Sequence, residues 1–165
     1  MAETNYADYR QNIKSGDLIA WSSGGSGLAS FFDNIIRIFT ESEYTHVAIA
    51  WWQGDRLFVI EAIPPKVRVY PLSGRLPFYH IPMNIDWNEN MVKYLLEKVG
   101  QPYSYFEAIK AYFTKPDNNN TWECAELCTD FYANIGINFG DAFTPAKLVQ
   151  DALASRNTDL KYIGS

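Results

Sequence analysis

A chain of 165 residues is long enough to bury a sizeable core without staples and suits one domain, residues 1–165. Apolar residues make up 47% and charged residues 20%, a balance that excludes a disordered or fibrous protein. A net charge of −5 with no Lys/Arg run argues against nucleic acid or an anionic membrane surface as principal partner.

The N-terminal stretch MAETNYADYRQNIKSGD is polar and lacks the apolar core of a secretory signal. No apolar run approaches the roughly 18–20 residues of a membrane span, so no integral membrane segment is expected. Two cysteines four apart on a helix are poorly placed for a disulfide. A reducing, cytoplasmic setting is therefore the default, with export by another route, for instance in a virus particle, left open. Nothing in the sequence sets an oligomeric state.

GDLIAW (16–21) reads as a short strand. WSSGGSG (21–27) looks like a phosphate cradle, but it lacks the GxxxxGK[ST] pattern and its lysine, so it reads as a surface connection. Residues 26–39 place Leu28, Phe31, Phe32, Ile35, Ile36 and Phe39 on one helical face. Four strands follow at 45–52, 57–63, 66–72 and 77–81, read as an antiparallel meander. From Asp86 the pattern becomes helical. Asp86 and Glu89 suggest a capping box, and Met91, Val92, Leu95, Leu96 and Val99 form a stripe before Gly100. A second helix is expected over 104–113, a loop over 115–120, a helix over about 121–135, and another from Pro145 with Thr144 as N-cap. Strands clustered between helical segments define an α+β class.

The 121–135 segment begins TWECAELC and holds the only two cysteines. Cys124, Leu127, Cys128, Phe131, Tyr132 and Ile135 share one face, which is how core cysteines are placed. With Asn120 or Thr121 as N-cap, Cys124 falls in the first turn. There the unpaired amides and the helix dipole lower a thiol's pKa. Cys128 lies a turn deeper, where that field fades. If either thiol is a nucleophile, it is Cys124.

A nucleophilic thiol needs a base and the base an orienting group. The chain has two histidines, His46 and His80. A two-residue loop at Gly54-Asp55 pairs Gln53 with Arg56, which sets Ala48 opposite Glu61 and makes Glu61 the diagonal neighbour of His46 on one face. A loop one residue longer would spoil that alignment. His80 lies between Pro77 and Pro82 with nothing evident to orient it, and ranks below His46 as base. Asp17 reads as a strand-start acid that satisfies backbone amides. Glu126 reads as a solvated or helix-pairing residue. Two cysteines at i, i+4 without a histidine pattern are not a zinc signature, so neither a metal nor another cofactor is expected.

GDLIAW, YTHVAIAWW, VIEAIP with KVRVYPL, and WECAELCTDFY, in that order, resemble the circularly permuted papain-like cysteine hydrolases, the permuted NlpC-type branch with YiiX-like and YebB-like members. The match spans about residues 16–132. The resemblance implies Cys124 as nucleophile, His46 as base and Glu61 as orienting acid, on a small antiparallel barrel-like sheet packed against helices. Ala125 stands where the family usually has Ser, and Cys128 is a second thiol. The implied activity is a thiol hydrolase cleaving an amide through an acyl-enzyme. Peptides, and peptidoglycan peptides in particular, are the substrates the resemblance favours. The alternatives are a lipid or acyl-ester hydrolase or acyltransferase on the same triad, and a non-catalytic binding or structural protein that kept the fold.

Overall fold

A computed structural model describes residues 4–22, 44–104, 122–140 and 144–164. The helix expected at 26–39, the one expected at 104–113 beyond Ser104, the loop at 115–120 and all of WSSGGSG beyond Ser22 lie outside the described residues. Within them the order is β1 (Thr4–Asn5), α1 (Tyr6–Tyr9), β2 (Leu18–Ser22), β3 (Tyr44–Gln53), β4 (Arg56–Ile63), β5 (Lys66–Pro71), β6 (Phe78–Ile81), α2 (Glu89–Leu96), α3 (Cys124–Asn134), α4 (Pro145–Arg156) and β7 (Lys161–Gly164). The seven strands form one sheet in the order β1-β7-β6-β2-β3-β4-β5. Only the β1–β7 pair is parallel, so the sheet is mixed and the class α+β.

Strand alternation divides the core. Leu18, Ala20, Val47, Ile49, Ile60 and Ala62 pack with Leu127, Cys128 and Phe131 of α3 and with Leu148, Val149 and Ala152 of α4. The alternate residues Ile19, Trp21, Ala48, Ala50, Leu57 and Val59 pack with Ile13, Leu72 and Phe78. Both faces of β2 and β3 are covered, which is why LIAW and VAIAWW read as near-continuous apolar runs. Gly16, at φ 90°, is needed where the chain enters β2: an added Cβ would lie 2.2 Å from Ile85 Cδ1. The buried Tyr132 hydroxyl donates to the Gly16 carbonyl at 2.9 Å and ties α3 to the same corner.

The expected meander holds for β3-β4-β5, but β6 lies between β2 and β7 instead of following β5. Phe78, His80 and Ile81 are all buried, so this short strand belongs at an interior position rather than at an edge. The strands β1 and β7 were not foreseen, being two and four residues long with too little alternation to read. The expected Asp86–Glu89 capping box is also corrected. Asn88 is the N-cap of α2, accepting from the amides of Asn90 and Met91, and Leu96 and Val99 of the expected stripe are exposed. Thr144 does cap α4, accepting from the Lys147 amide with Pro145 in the first turn.

At the other edge of the sheet, β5 is not left open. Val67 donates to the Gln101 carbonyl and accepts from Gly100, both at 2.9 Å, and Lys66 bridges Pro102.

Candidate active site

The geometry of the site begins at the Gly54-Asp55 turn. Gln53 pairs with Arg56, and the register runs unbroken to Ile49–Ile60. Beyond that point the two strands stop pairing with each other. β3 continues against β2 to Trp21–His46, and β4 continues against β5 through Glu61–Arg68. Across this parting His46 Nε2 meets Glu61 Oε2 at 2.8 Å.

Glu61 is fully buried, and its Oε1 receives Arg68 Nε at 2.9 Å with Arg75 Nη1 at 3.5 Å. Burial alone would raise its pKa, but the His46 hydrogen bond and the charges of His46, Arg75 and Arg68 outweigh it and hold the carboxyl down at about 2. Burial pulls the His46 pKa below its ordinary value, against the opposing pull of Glu61. With Nε2 committed to a carboxylate, the proton of the neutral ring belongs there and Nδ1 carries the lone pair. Among the described residues no hydrogen bond engages that Nδ1. The ring lies against Trp21, 5.1 Å between centroids, and Arg75 covers the same indole at 4.9 Å.

Cys124 is the first residue of α3. The N-cap is Glu123, not Asn120 or Thr121. The Glu123 carboxylate accepts from the Ala125 amide at 3.0 Å and from the Glu126 amide, while Glu126 reaches back to the Glu123 amide at 3.4 Å. This reciprocal capping box gives Glu126 a structural role that its sequence position did not suggest. The Cys124 thiol is almost completely buried. It lies 3.6 Å from Glu123 Oε2 and takes a hydrogen bond from the Val47 amide.

The expectation of a lowered Cys124 pKa is overturned. Burial pushes both thiols well up, and the Glu123 carboxyl adds to it; the helix N-terminus does not compensate because its cap is itself an acid. Glu123 is pushed up to about 8, by burial first and by Glu126 in addition, against its two amide donors. Both cysteines are free.

The structure therefore joins His46 to Glu61 directly and brings Cys124 to the backbone of the residue after His46. No hydrogen bond joins the thiol to the imidazole. Cys124 packs with Val47 and Ile49, the positions that alternate with His46 and Ala48 along β3.

His80 is not unoriented. Its Nε2 meets Asp17 Oδ2 at 2.8 Å and its Nδ1 meets the Tyr9 hydroxyl at 3.1 Å. Asp17 also accepts from the Lys14 and Met83 amides, both at 2.8 Å, in keeping with its expected backbone role.

No model of a known protein family matches the chain, and no curated protein does. Among solved structures, the metalloprotein YiiX from Escherichia coli O157:H7 is similar in fold: TM-score 0.57, 18% identity, covering 77% of this chain and 69% of that one. At that identity the likeness is one of fold.

Proposed function

We propose that the chain is a thiol hydrolase of the permuted papain-like type, one domain over 1–165, with Cys124 as nucleophile, His46 as base and Glu61 as orienting acid. One observation carries the reading. The Val47 amide donates to the Cys124 thiol, which sets the thiol beside the residue that follows His46, while Glu61 holds the far nitrogen of that base.

With both pKa shifts pointing to neutral forms, the resting pair is thiol and imidazole rather than thiolate and imidazolium. Catalysis then runs by general base. The reaction requires the Cys124 side chain and the His46 ring, which no hydrogen bond joins here, to meet when substrate binds, a tightening that catalytic pairs commonly undergo on leaving the unliganded state. His46 Nδ1 takes the thiol proton as sulfur bonds to the carbonyl carbon. The imidazolium, stabilised by Glu61, returns the proton to the leaving amine. Water then attacks the acyl-enzyme, giving the acid and restoring the thiol. The backbone amide of Cys124, which the Glu123 cap leaves untouched, would hold the oxyanion.

YiiX is described as a metalloprotein. Here, among the described residues, no group of three or more His, Cys, Asp or Glu side chains could hold a metal ion, and Glu61 is already committed to His46, Arg68 and Arg75. The described donor set does not fit a metal, and no step is routed through one.

Amides are the proposed substrates, cell-wall peptides first and acyl esters second. Turnover of peptidoglycan fragments, a peptide library and acyl esters, compared with Cys124→Ser, tests this. Hydrolysis of one class that falls at least about 100-fold in the variant is the expected result. Undiminished turnover in Cys124→Ser overturns it. A non-catalytic domain has one observation in its favour, the deep burial of the thiol. Absence of turnover on all three classes would select it.

A further inference from the structure

The residue before the cysteine does more than cap the helix. A thiol has one hydrogen, and two acceptors compete for it: the His46 Nδ1 that the proposed reaction needs, and the Glu123 carboxylate. In this structure the hydrogen goes to Glu123 Oε2, at 3.6 Å. That same oxygen accepts from the Ala125 amide, and Oε1 accepts from the Glu126 amide, so the carboxyl cannot swing away without uncapping α3.

We propose that Glu123 is a positioning residue that holds the Cys124 thiol protonated and turned along its own helix cap, away from His46. It is a built-in restraint on the nucleophile, released when substrate displaces the contact. Its functional meaning rests on Cys124 being the nucleophile; its physical content does not.

The surroundings make the restraint effective. Glu123 is buried, with Glu126 closing the box behind it, and Cys128 lies one turn below on the same helix. The cationic groups beside the base, Arg68 and Arg75, are spent on Glu61. A second ionisation in this pocket would set two negative charges within about 4 Å of each other in a low-dielectric site. The Glu123 charge pushes the Cys124 thiol up in the same direction as burial does.

The test is the rate of Cys124 alkylation by iodoacetamide across pH, with the labelled residue located by tandem mass spectrometry. Glu123→Gln keeps a carbonyl for the cap and presents an amide N–H to the sulfur. Glu123→Asp keeps a good N-cap but draws the carboxylate back from the thiol. Both variants should label faster near pH 7, Glu123→Gln by at least about tenfold. For Glu123→Gln the midpoint of the pH profile should fall by about one unit or more, as an equal change in thiolate population requires. A role confined to capping would move the melting temperatures and leave the pH midpoint in place. An unmoved midpoint in folded Glu123→Gln overturns the proposal. The readout is chemical labelling, so it stands apart from whether any substrate is hydrolysed: failed turnover with a shifted midpoint would sink the hydrolase and keep the restraint.

Discussion

The molecule contains the same pair twice. His46–Glu61 and His80–Asp17 are both Nε2-to-carboxylate contacts of 2.8 Å, yet their surroundings differ in what becomes of the second nitrogen. At His80 the second nitrogen is taken by Tyr9, the carboxylate is filled by the Lys14 and Met83 amides, and the ring is 1% exposed. Every polar atom there has a partner and nowhere to send a proton. At His46 the carboxylate is clamped by two arginines while Nδ1 is left without a hydrogen bond among the described residues, and 13% of the side chain is exposed. A geometrically good acid–histidine contact is no mark of function. The unspent nitrogen at His46 is what supports the proposed role there.

The sharpest break of this comparison is kinetic. On whichever substrate the panel identifies, His46→Ala should lower kcat/KM by about 10²–10⁴, the usual worth of a general base. A larger fall in His80→Ala would reverse the roles assigned to the two histidines. Next in size is a loss of stability at the architectural pair. Asp17→Ala strands a buried histidine and two backbone amides at once, and urea denaturation should show a loss of about 3–5 kcal/mol. A loss under about 1 kcal/mol would mean that water replaces the carboxylate and that the site is not sealed.

Glu61→Gln tests the proposed catalytic pair from its other end. On the substrate the panel identifies, kcat/KM should fall at least about tenfold, equivalent to roughly 1.4 kcal/mol. Because Arg68 and Arg75 face the carboxylate, this variant should also lose stability, and the loss should depend on pH. The Glu61 pKa is depressed in the fold, from 4.5 to about 2, so its ionisation stabilises the native state above about pH 4.5 and that contribution disappears as pH falls toward 2. Stability of the unmodified protein should therefore decline through that window, and Glu61→Gln should decline less. Parallel curves would mean that Glu61 is not the ionised member of its cluster. The smallest effect is expected from Tyr9→Phe, which removes one neutral hydrogen bond from His80 at a cost of about 1 kcal/mol.

The His46–Glu61 contact was legible because a tight turn eight residues away fixes the parity of both strands. Local chemistry at Gly54-Asp55 was enough to align residues 15 apart in sequence. The partners of His80 were not legible: Asp17 and Tyr9 are 63 and 71 residues away, brought in by the insertion of β6 beside β2, which no turn announces. Arg68 could have been foreseen, since the strand after Glu61 sets it directly opposite; Arg75 could not, because it follows a 3-10 turn outside the register. The cap of α3 was misplaced because Asn and Thr outrank Glu as N-caps in isolation. Burial and the reciprocal contact with Glu126 decided otherwise, and with the cap went the expected direction of the Cys124 pKa.

The covered edge of β5 has a consequence for how the protein behaves in concentrated solution. A terminal strand with its amides and carbonyls unpaired is a template on which another chain can polymerise. Here Val67 is already bonded to the 100–101 segment, Pro71 ends the strand without an amide hydrogen, and Lys66 and Arg68 place charge along it. A second sheet arriving at that edge would have to expel a bound segment and desolvate two cations. The fold thus carries its own protection against edge-to-edge aggregation on that side, and disrupting the Gly100–Pro102 contact would remove it.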